Sequence, residues 1–389
     1  MKRDGDVYHR IADMDNLRLA FWKARRGKDD RPEVVGFRCN LEANLQTMRG
    51  QLLDESVPVG ACHTFQIHDP KERTICAAVF RERVLHHAII NVCHDRFERF
   101  QIHDSYAGRR NKGTYAAIWR AAKHTRAARW FLKLDVRHYF ETIDHELLKA
   151  QLARLFRERP MLDLFRRIIE SCETGPGKGL PIGHLTSQYF ANHLLAVLDH
   201  YIKEELRMRR YVRYMDDMVL WADEREPLLI AGKRIRRFLA NHFRLELKAP
   251  CMHPAGKGLP FLGYVLFPDR VALAKRSRKR YHRKLHGLWG DRQACGCAQE
   301  AFAARVLPLV AFTEHASNGR DFRRRTMQKI ERSLGGLEPR EPRRQLEQQR
   351  RELPRGVPEQ ERAGQPQQQP GAPARPLPRS SGDPADAVQ

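Results

Sequence analysis

Apolar residues recur every three to four positions in "NLRLAFWKARRGK" and "NLEANLQTMRGQLL", and this spacing predicts two amphipathic helices within the first 60 residues. Further along, the period changes. In "RWFLKLDVRHYF", Leu132, Leu134 and Val136 alternate onto one face while Phe131, Lys133 and Asp135 share the other. That pattern predicts a strand from Trp130 to Val136, with Asp135 near its end. "HELLKAQLARLF" returns to helical spacing, with Asp144 as N-cap and Leu148, Leu152, Leu155 and Phe156 as the buried stripe. A helix starting near Ser187 is expected to bury Phe190, Leu194, Val197, Leu198 and Tyr201. "YVRYM" and "MVLWA" are both β-prone and flank Asp216-Asp217, which places two adjacent acids in a hairpin. These strands are too apolar for a solvent-exposed ribbon, so the hairpin belongs at the edge of a buried sheet. "FAARVLPLVAF" is helical again. From about residue 336 the chain turns to Pro, Gln, Arg and Gly, with too few large apolar groups to offset ordering entropy, and is expected to be disordered. No internal repeat is visible.

Charge narrows the function classes. Lys and Arg total 71 against 47 acids, a formal net charge of +24 on 389 residues. An excess this large points to a polyanionic partner, nucleic acid, rather than to mere solubility. No apolar run approaches the roughly 18 residues of a membrane span, and "MKRDGDVYHR" holds no signal-peptide core. A cytoplasmic protein with free thiols is the expectation. Of the 8 cysteines, only Cys295 and Cys297 stand close together. With no second pair at zinc-site spacing, a structural zinc is not expected. The 18 histidines show no metal-like pairing on one face, and His86-His87 reads as structural.

Against this basic background the acids need a reason. An Asp-Asp turn alone is as consistent with ordinary turn geometry as with chemistry. Asp135 changes the balance, because Asp144 has a capping role and Asp135 has none. Three carboxylates brought together repel one another and would partly protonate, and a divalent cation removes that cost. Mg²⁺ prefers hard oxygen ligands and shares its shell with phosphates. Two such ions about 3.5–4 Å apart would activate a hydroxyl and stabilise a leaving pyrophosphate, which is phosphoryl transfer.

Other segments suit the same chemistry. "SYAGRRNKGTYAAIWRAAKH" is a basic, glycine-bearing loop feeding a helix, and Arg109 and Lys112 beside the helix start make an anion site. "GPGKGLPIG" is not a Walker A loop, since Gly179 follows Lys178 where Ser or Thr is required. "LAKRSRKRYHRKLHGLW" interleaves Tyr281 and Trp289 with basic residues, as a grip on duplex phosphates would.

These residues resemble a reverse transcriptase. "YMDD" and "LDVRHYF" are similar to that family's two metal-binding motifs, and "IGHLTSQ", at Ile182–Gln188, resembles the reverse transcriptases of diversity-generating retroelements. "KERTICAAVFRERVLHHAI", "DSYAGRRNKGTYAAI" and "FLGYVL" resemble further motifs, so the likeness covers roughly residues 10–325. His184, Asn111, Tyr115 and Lys248 depart from the usual Asn, Gly, His and Asn.

The resemblance implies an α+β right-hand polymerase. Its parts would be an N-terminal helical extension and fingers (1–60), fingers and a palm of antiparallel sheet with helices (61–265), a helical thumb (266–335) and the tail (336–389). It implies two Mg²⁺ held by Asp135, Asp216, Asp217 and the Val136 carbonyl. Nucleotide contacts fall to Arg73, Arg109, Lys112, Phe140, Ile182, Gly183 and Gln188, with Phe140 crowding the sugar 2′ position and Ile182 at the templating base pair. Tyr214, Met215, Phe261, Leu262, Gly263 and Tyr264 would meet primer and template. The partners implied are a template-repeat RNA, the cDNA and primer, deoxynucleotides and a basic accessory variability protein. The product would be cDNA mutated at adenines, destined for a variable target gene. A retron-like or phage-defence reverse transcriptase shares the metal acids and is the alternative enzyme. A non-catalytic basic RNA-binding protein is the alternative of another class.

Overall fold

The N-terminal helices follow from where the chain cannot stay helical. The computed structural model describes residues 7–67, 72–295 and 299–333. Among the described residues four helices precede the first strand, α1 (Val7–Ile11), α2 (Met14–Arg25), α3 (Pro32–Cys39) and α4 (Leu41–Leu53), and α2 and α4 are the two expected from spacing. Asp13 caps α2 by accepting from the Asp15 and Asn16 amides, and Pro32 opens α3 with its φ already fixed. A short hairpin follows, β1 (Cys62–Ile67) and β2 (Arg73–Ala78), then the long helix α5 (Phe80–Phe100). Cys62 and Cys76 are diagonal neighbours across this hairpin, with Cα atoms 5.6 Å apart, and they form a disulfide. The expectation of free thiols throughout is corrected here, because antiparallel pairing brings two residues 14 apart within bridging range.

Next come α6 (Thr114–Arg126), β3 (Trp130–Asp135), α7 (Tyr139–Thr142), α8 (His145–Leu155), α9 (Arg159–Glu170) and α10 (Leu185–His200), the last prolonged by a π-helical turn at Tyr201–Glu205. Asp144 caps α8 through the Leu147 amide, and Leu148, Leu152, Leu155 and Phe156 are buried, as their spacing requires. α10 starts at Leu185, two residues before the expected Ser187, with His184 as its N-cap residue. The hairpin β4 (Tyr211–Tyr214) and β5 (Asp217–Ala222) leads into α11 (Glu226–Phe243) and β6 (Cys251–Pro254). A three-stranded sheet, β7 (Leu259–Phe261), β8 (Tyr264–Leu266) and β9 (Val271–Leu273), precedes α12 (Lys275–Cys295), α13 (Gln299–Glu314) and α14 (Gly319–Ser333).

The architecture is therefore mixed helix and sheet, and its central piece is an antiparallel sheet in the order β4-β5-β3-β6. Period-2 alternation lets this sheet bury both faces. Leu132, Leu134, Tyr211, Met218 and Leu220 join the larger core, with residues of α5, α8, α9, α10 and α11. Phe131, Val212, Val219 and Trp221 join a second core, with α6 and the β7–β9 sheet. The hairpin lies inside this sandwich rather than on a solvent ribbon.

Residues up to Ile330 form one compact unit and Glu331–Gln389 a second, of which only 331–333, the end of α14, are described. The expected disorder beyond 336 lies outside the described residues. Among the described residues no helix is long and apolar enough to cross a membrane.

Candidate active site

Strand pairing brings the acids together. In the β3–β5 register Asp135 stands opposite Asp217, and directly opposed residues share one face. Tyr214 pairs with Asp217 across the hairpin, leaving Met215 and Asp216 as its two-residue turn. Met215 takes a left-handed φ of 54°, sparsely populated for a non-glycine residue and a conformation that the surroundings must enforce. Asp135 ends β3, Asp217 begins β5 and Asp216 lies between the hairpin strands, so all three acids sit at one end of the sheet.

Two lysines balance this charge. Lys133, two residues before Asp135 on the same strand face, donates from Nζ to Asp217 Oδ2 at 3.0 Å and to the Pro260 carbonyl at 2.9 Å. Lys248 donates from Nζ to Asp135 Oδ1, while its own amide donates to the Asp135 carbonyl at 2.9 Å. Burial pushes the Asp217 carboxyl up to about 6; the neighbouring Asp135 and Asp216 add to the rise, and Lys133 opposes it. Asp217 Oδ1 is buried and has no hydrogen-bond partner. A carboxylate oxygen left bare beside two further acids is a cation ligand in waiting, and this all-oxygen donor set suits a hard divalent ion. Val136 bridges to Leu247 through bonds made by its neighbours, Arg137 N–H to Glu246 O and Lys248 N–H to Asp135 O. Its own carbonyl therefore faces away from that segment.

A buried arginine braces the turn from behind. Arg213, in the middle of β4, is fully buried and donates to the Met215 carbonyl at 3.0 Å. Its other partners include both oxygens of Asp199 on α10, the nearest at 2.6 Å, and Asn192 Oδ1 at 2.9 Å. Burial alone would lower its pKa, but the Asp199 carboxylate outweighs it and holds the guanidinium well above its ordinary value. Tyr211 donates its hydroxyl to the same Asp199 at 2.7 Å. Neither Arg213 nor Lys133 was singled out by sequence reasoning as part of the site. Their signal was a cationic residue inside an otherwise apolar strand.

The remaining candidates fall into groups. Ile182 is half-buried and its carbonyl accepts from the Cys76 amide at 2.9 Å, so the loop before α10 packs on β2. Gly183 has φ 120°, and a Cβ there would stand 2.9 Å from the Cys76 carbonyl, which explains the glycine. Gln188 is exposed in the first turns of α10. Phe140 is half-buried against the larger core, while Tyr139 is buried and donates to the Ala191 carbonyl at 2.6 Å. Arg73 begins β2, and its side chain lies outside the described residues. Lys112 donates to the His103 carbonyl at 2.9 Å.

Three further candidates have well-defined surroundings. Arg109, expected with Lys112 at an anion site, is engaged with Glu98 at 2.8 Å and with the Ser105 and Ile102 carbonyls. The loop turns so sharply that its own carbonyls use up the guanidinium. Phe261 and Tyr264, expected against primer, are 1% and 0% exposed. They pair with each other across the β7–β8 turn and fill the second core, so only Leu262 and Gly263, at φ 47° and 88°, form the tip.

Residues 68–266 match the family model described as reverse transcriptase (RNA-dependent DNA polymerase). The chain is 23% identical over 135 residues to a putative COX1/OXI3 intron 1 protein of Saccharomyces cerevisiae, covering 33% of this chain and 16% of that protein. Among solved structures, telomerase from Candida albicans in complex with a TWJ fragment of telomeric RNA superposes with a TM-score of 0.43 at 11% identity over 69% of this chain. Apo telomerase from Candida tropicalis, truncated from its C-terminal domain, gives 0.43 at 10% identity over 55%. The chain spans 55% of each of these structures. The family match takes in just over half of the sequence and all three acids, and the chain belongs to the reverse transcriptases.

Proposed function

We propose that this chain is an RNA-directed DNA polymerase that adds deoxynucleotides to a primer 3′-hydroxyl on an RNA template. One observation carries the reading: carboxylates from two separate motifs meet at one end of a sheet within the family span, and Asp217 Oδ1 is left bare. Asp135, Asp216 and Asp217 would hold divalent ions, two Mg²⁺, with the Val136 carbonyl as a further ligand. Bound there, the ions would supply activation of the primer hydroxyl and charge neutralisation at the leaving pyrophosphate. Lys133 and Lys248 keep the carboxylates aimed and screened from one another. Arg213 braces the Met215–Asp216 turn from behind through the Met215 carbonyl.

The division of labour follows chain order. Residues 1–60 extend the fingers, 61–265 make fingers and palm, 266–335 form a thumb, and 336–389 are a tail. α12 supports the thumb assignment: Ser277, Tyr281 and Leu285 are buried at helical spacing, while Lys275, Arg278, Lys279 and Lys284 are exposed. In this reading Phe140 would be the sugar gate and Ile182 would stand at the templating pair. The Ile182–Gln188 motif supports the finer reading: a diversity-generating retroelement enzyme copying a template-repeat RNA into adenine-mutagenised cDNA with a basic accessory protein.

Primer extension on an RNA template with Mg²⁺ tests both levels. Asp216→Ala should lower extension by at least about 10²-fold, as losing a preorganised electrostatic group does. Wild-type-like extension by that variant, or none by the wild type on any primed RNA, defeats the polymerase reading. Sequencing the cDNA tests the finer one, which expects substitutions concentrated at template adenines; an even error spectrum leaves a general reverse transcriptase.

A further inference from the structure

Behind the Ile182–Gly183 loop lies a group of soft and imidazole ligands that the acids do not use. Cys62, Cys76 and His184 each present a ligand atom within 4.8 Å of the others, and so do Glu82, His86 and His184. Cys76 Sγ lies 3.5 Å from His184 Nε2. His184, His86 and Glu82 are 1%, 1% and 2% exposed. Each keeps a buried atom without a hydrogen bond: His184 Nδ1, His86 Nε2 and Glu82 Oε2. Three such orphans in one place are costly and mark the cluster as built for something besides packing.

We propose that Cys62, Cys76 and His184 form a Zn²⁺ site when the cysteine pair is reduced, with Glu82 and His86 as the groups that orient His184. Two thiolates and an imidazole are a soft donor set that selects zinc over Mg²⁺. Binding through Nε2 places the His184 proton on Nδ1, where the Glu82–His86 pair can receive it, as carboxylates receive the second N–H of zinc-bound histidines. His86 Nε2 and Glu82 Oε1 are already 3.5 Å apart, and Glu82 Oε1 is anchored by the Gly60 amide at 3.0 Å. A water or small anion fills the fourth position.

The chemistry balances with a dithiol reductant. Thiol–disulfide exchange passes two electrons and two protons to Cys62 and Cys76 and leaves the reductant as its own disulfide. Zinc then displaces both thiol protons, and the sulfurs move to roughly 3.8 Å apart around a tetrahedral ion. The site would clip three segments together: β1, β2 and the loop that enters α10. Because that loop carries Ile182 and Gly183, the ion would stiffen the element placed against the templating pair. The buried His184 and the buried His86 then share one explanation.

Elemental analysis of full-length protein purified with a dithiol and without chelator tests this directly, and polymerase activity plays no part in the readout. About one zinc per chain is expected, falling at least tenfold in Cys62→Ser, Cys76→Ser and His184→Asn but not in Cys251→Ser. Co²⁺ in place of zinc should give thiolate-to-metal charge-transfer absorption that both cysteine variants abolish. If the cysteine variants fail to fold, His184→Asn decides, with circular dichroism as the check: zinc lost from a natively folded variant supports the site, and zinc retained overturns it. Reduced wild type that holds neither zinc nor Co²⁺ also overturns it.

Discussion

Asp217 is the residue whose surroundings contribute most that is testable. Its carboxyl, raised from 3.8 to about 6, binds a proton more tightly in the folded chain than in the unfolded one. The stability it contributes is fully present below pH about 4 and is lost as pH rises through about 6. The difference is at most about 3 kcal/mol, at 1.36 kcal/mol per pKa unit. In EDTA, wild type should therefore lose more thermal stability than Asp217→Asn between pH 4 and 7, and Mg²⁺ at pH 7.5 should restore wild type and not the variant. Parallel pH profiles for the two proteins would refute this account. The acids could be singled out in the sequence because Asp135, an acid with no capping role, joins an Asp-Asp turn that is ambiguous by itself. Their lysine partners could not. Lys133 could be placed on the Asp135 face by alternation, but its reach to Asp217 depends on a strand pairing 84 residues away. The contacts of Arg109 were not legible either: a basic loop looks the same in sequence whether its arginine faces solvent or the carbonyls beside it.

At the level of elements, β4 and α10 are clamped by an ion pair rather than by apolar contact alone. Arg213 and Asp199 are both fully buried, and the Met215 carbonyl depends on that arginine. Arg213→Met should destabilise the fold by about 3–5 kcal/mol, since it strands a buried carboxylate. Arg213→Met combined with Asp199→Leu should recover most of that stability while primer extension stays impaired, because the turn has lost its brace. Recovery of both stability and extension would mean the arginine serves packing only. Helices and strands were read well wherever period and capping agreed, as in α8, β3 and the β4–β5 hairpin. In the N-terminal region the two helices read from spacing are α2 and α4, whereas α1 and α3, of 5 and 8 residues, are too short to show a helical period. The Phe261–Tyr264 hairpin was recognised as a unit, yet its aromatic side chains turn inward to the second core, which local sequence does not specify.

For the whole molecule, the charge excess becomes a binding statement. Salt should weaken template–primer affinity steeply, and Arg278→Glu, Lys279→Glu and Lys284→Glu together on α12 should flatten the log–log slope by about 0.9 for each phosphate contact removed. An unchanged slope would remove α12 from the duplex interface. The mixed architecture followed from alternating helical and strand periods, whereas the two-sided burial of the central sheet emerged only from its strand order. That burial has a geometric outcome. Core residues cover most of both broad faces, and the sheet keeps its partly exposed charged groups together where β3 stops and β5 starts, so that end is the part of the sheet left open to an ion.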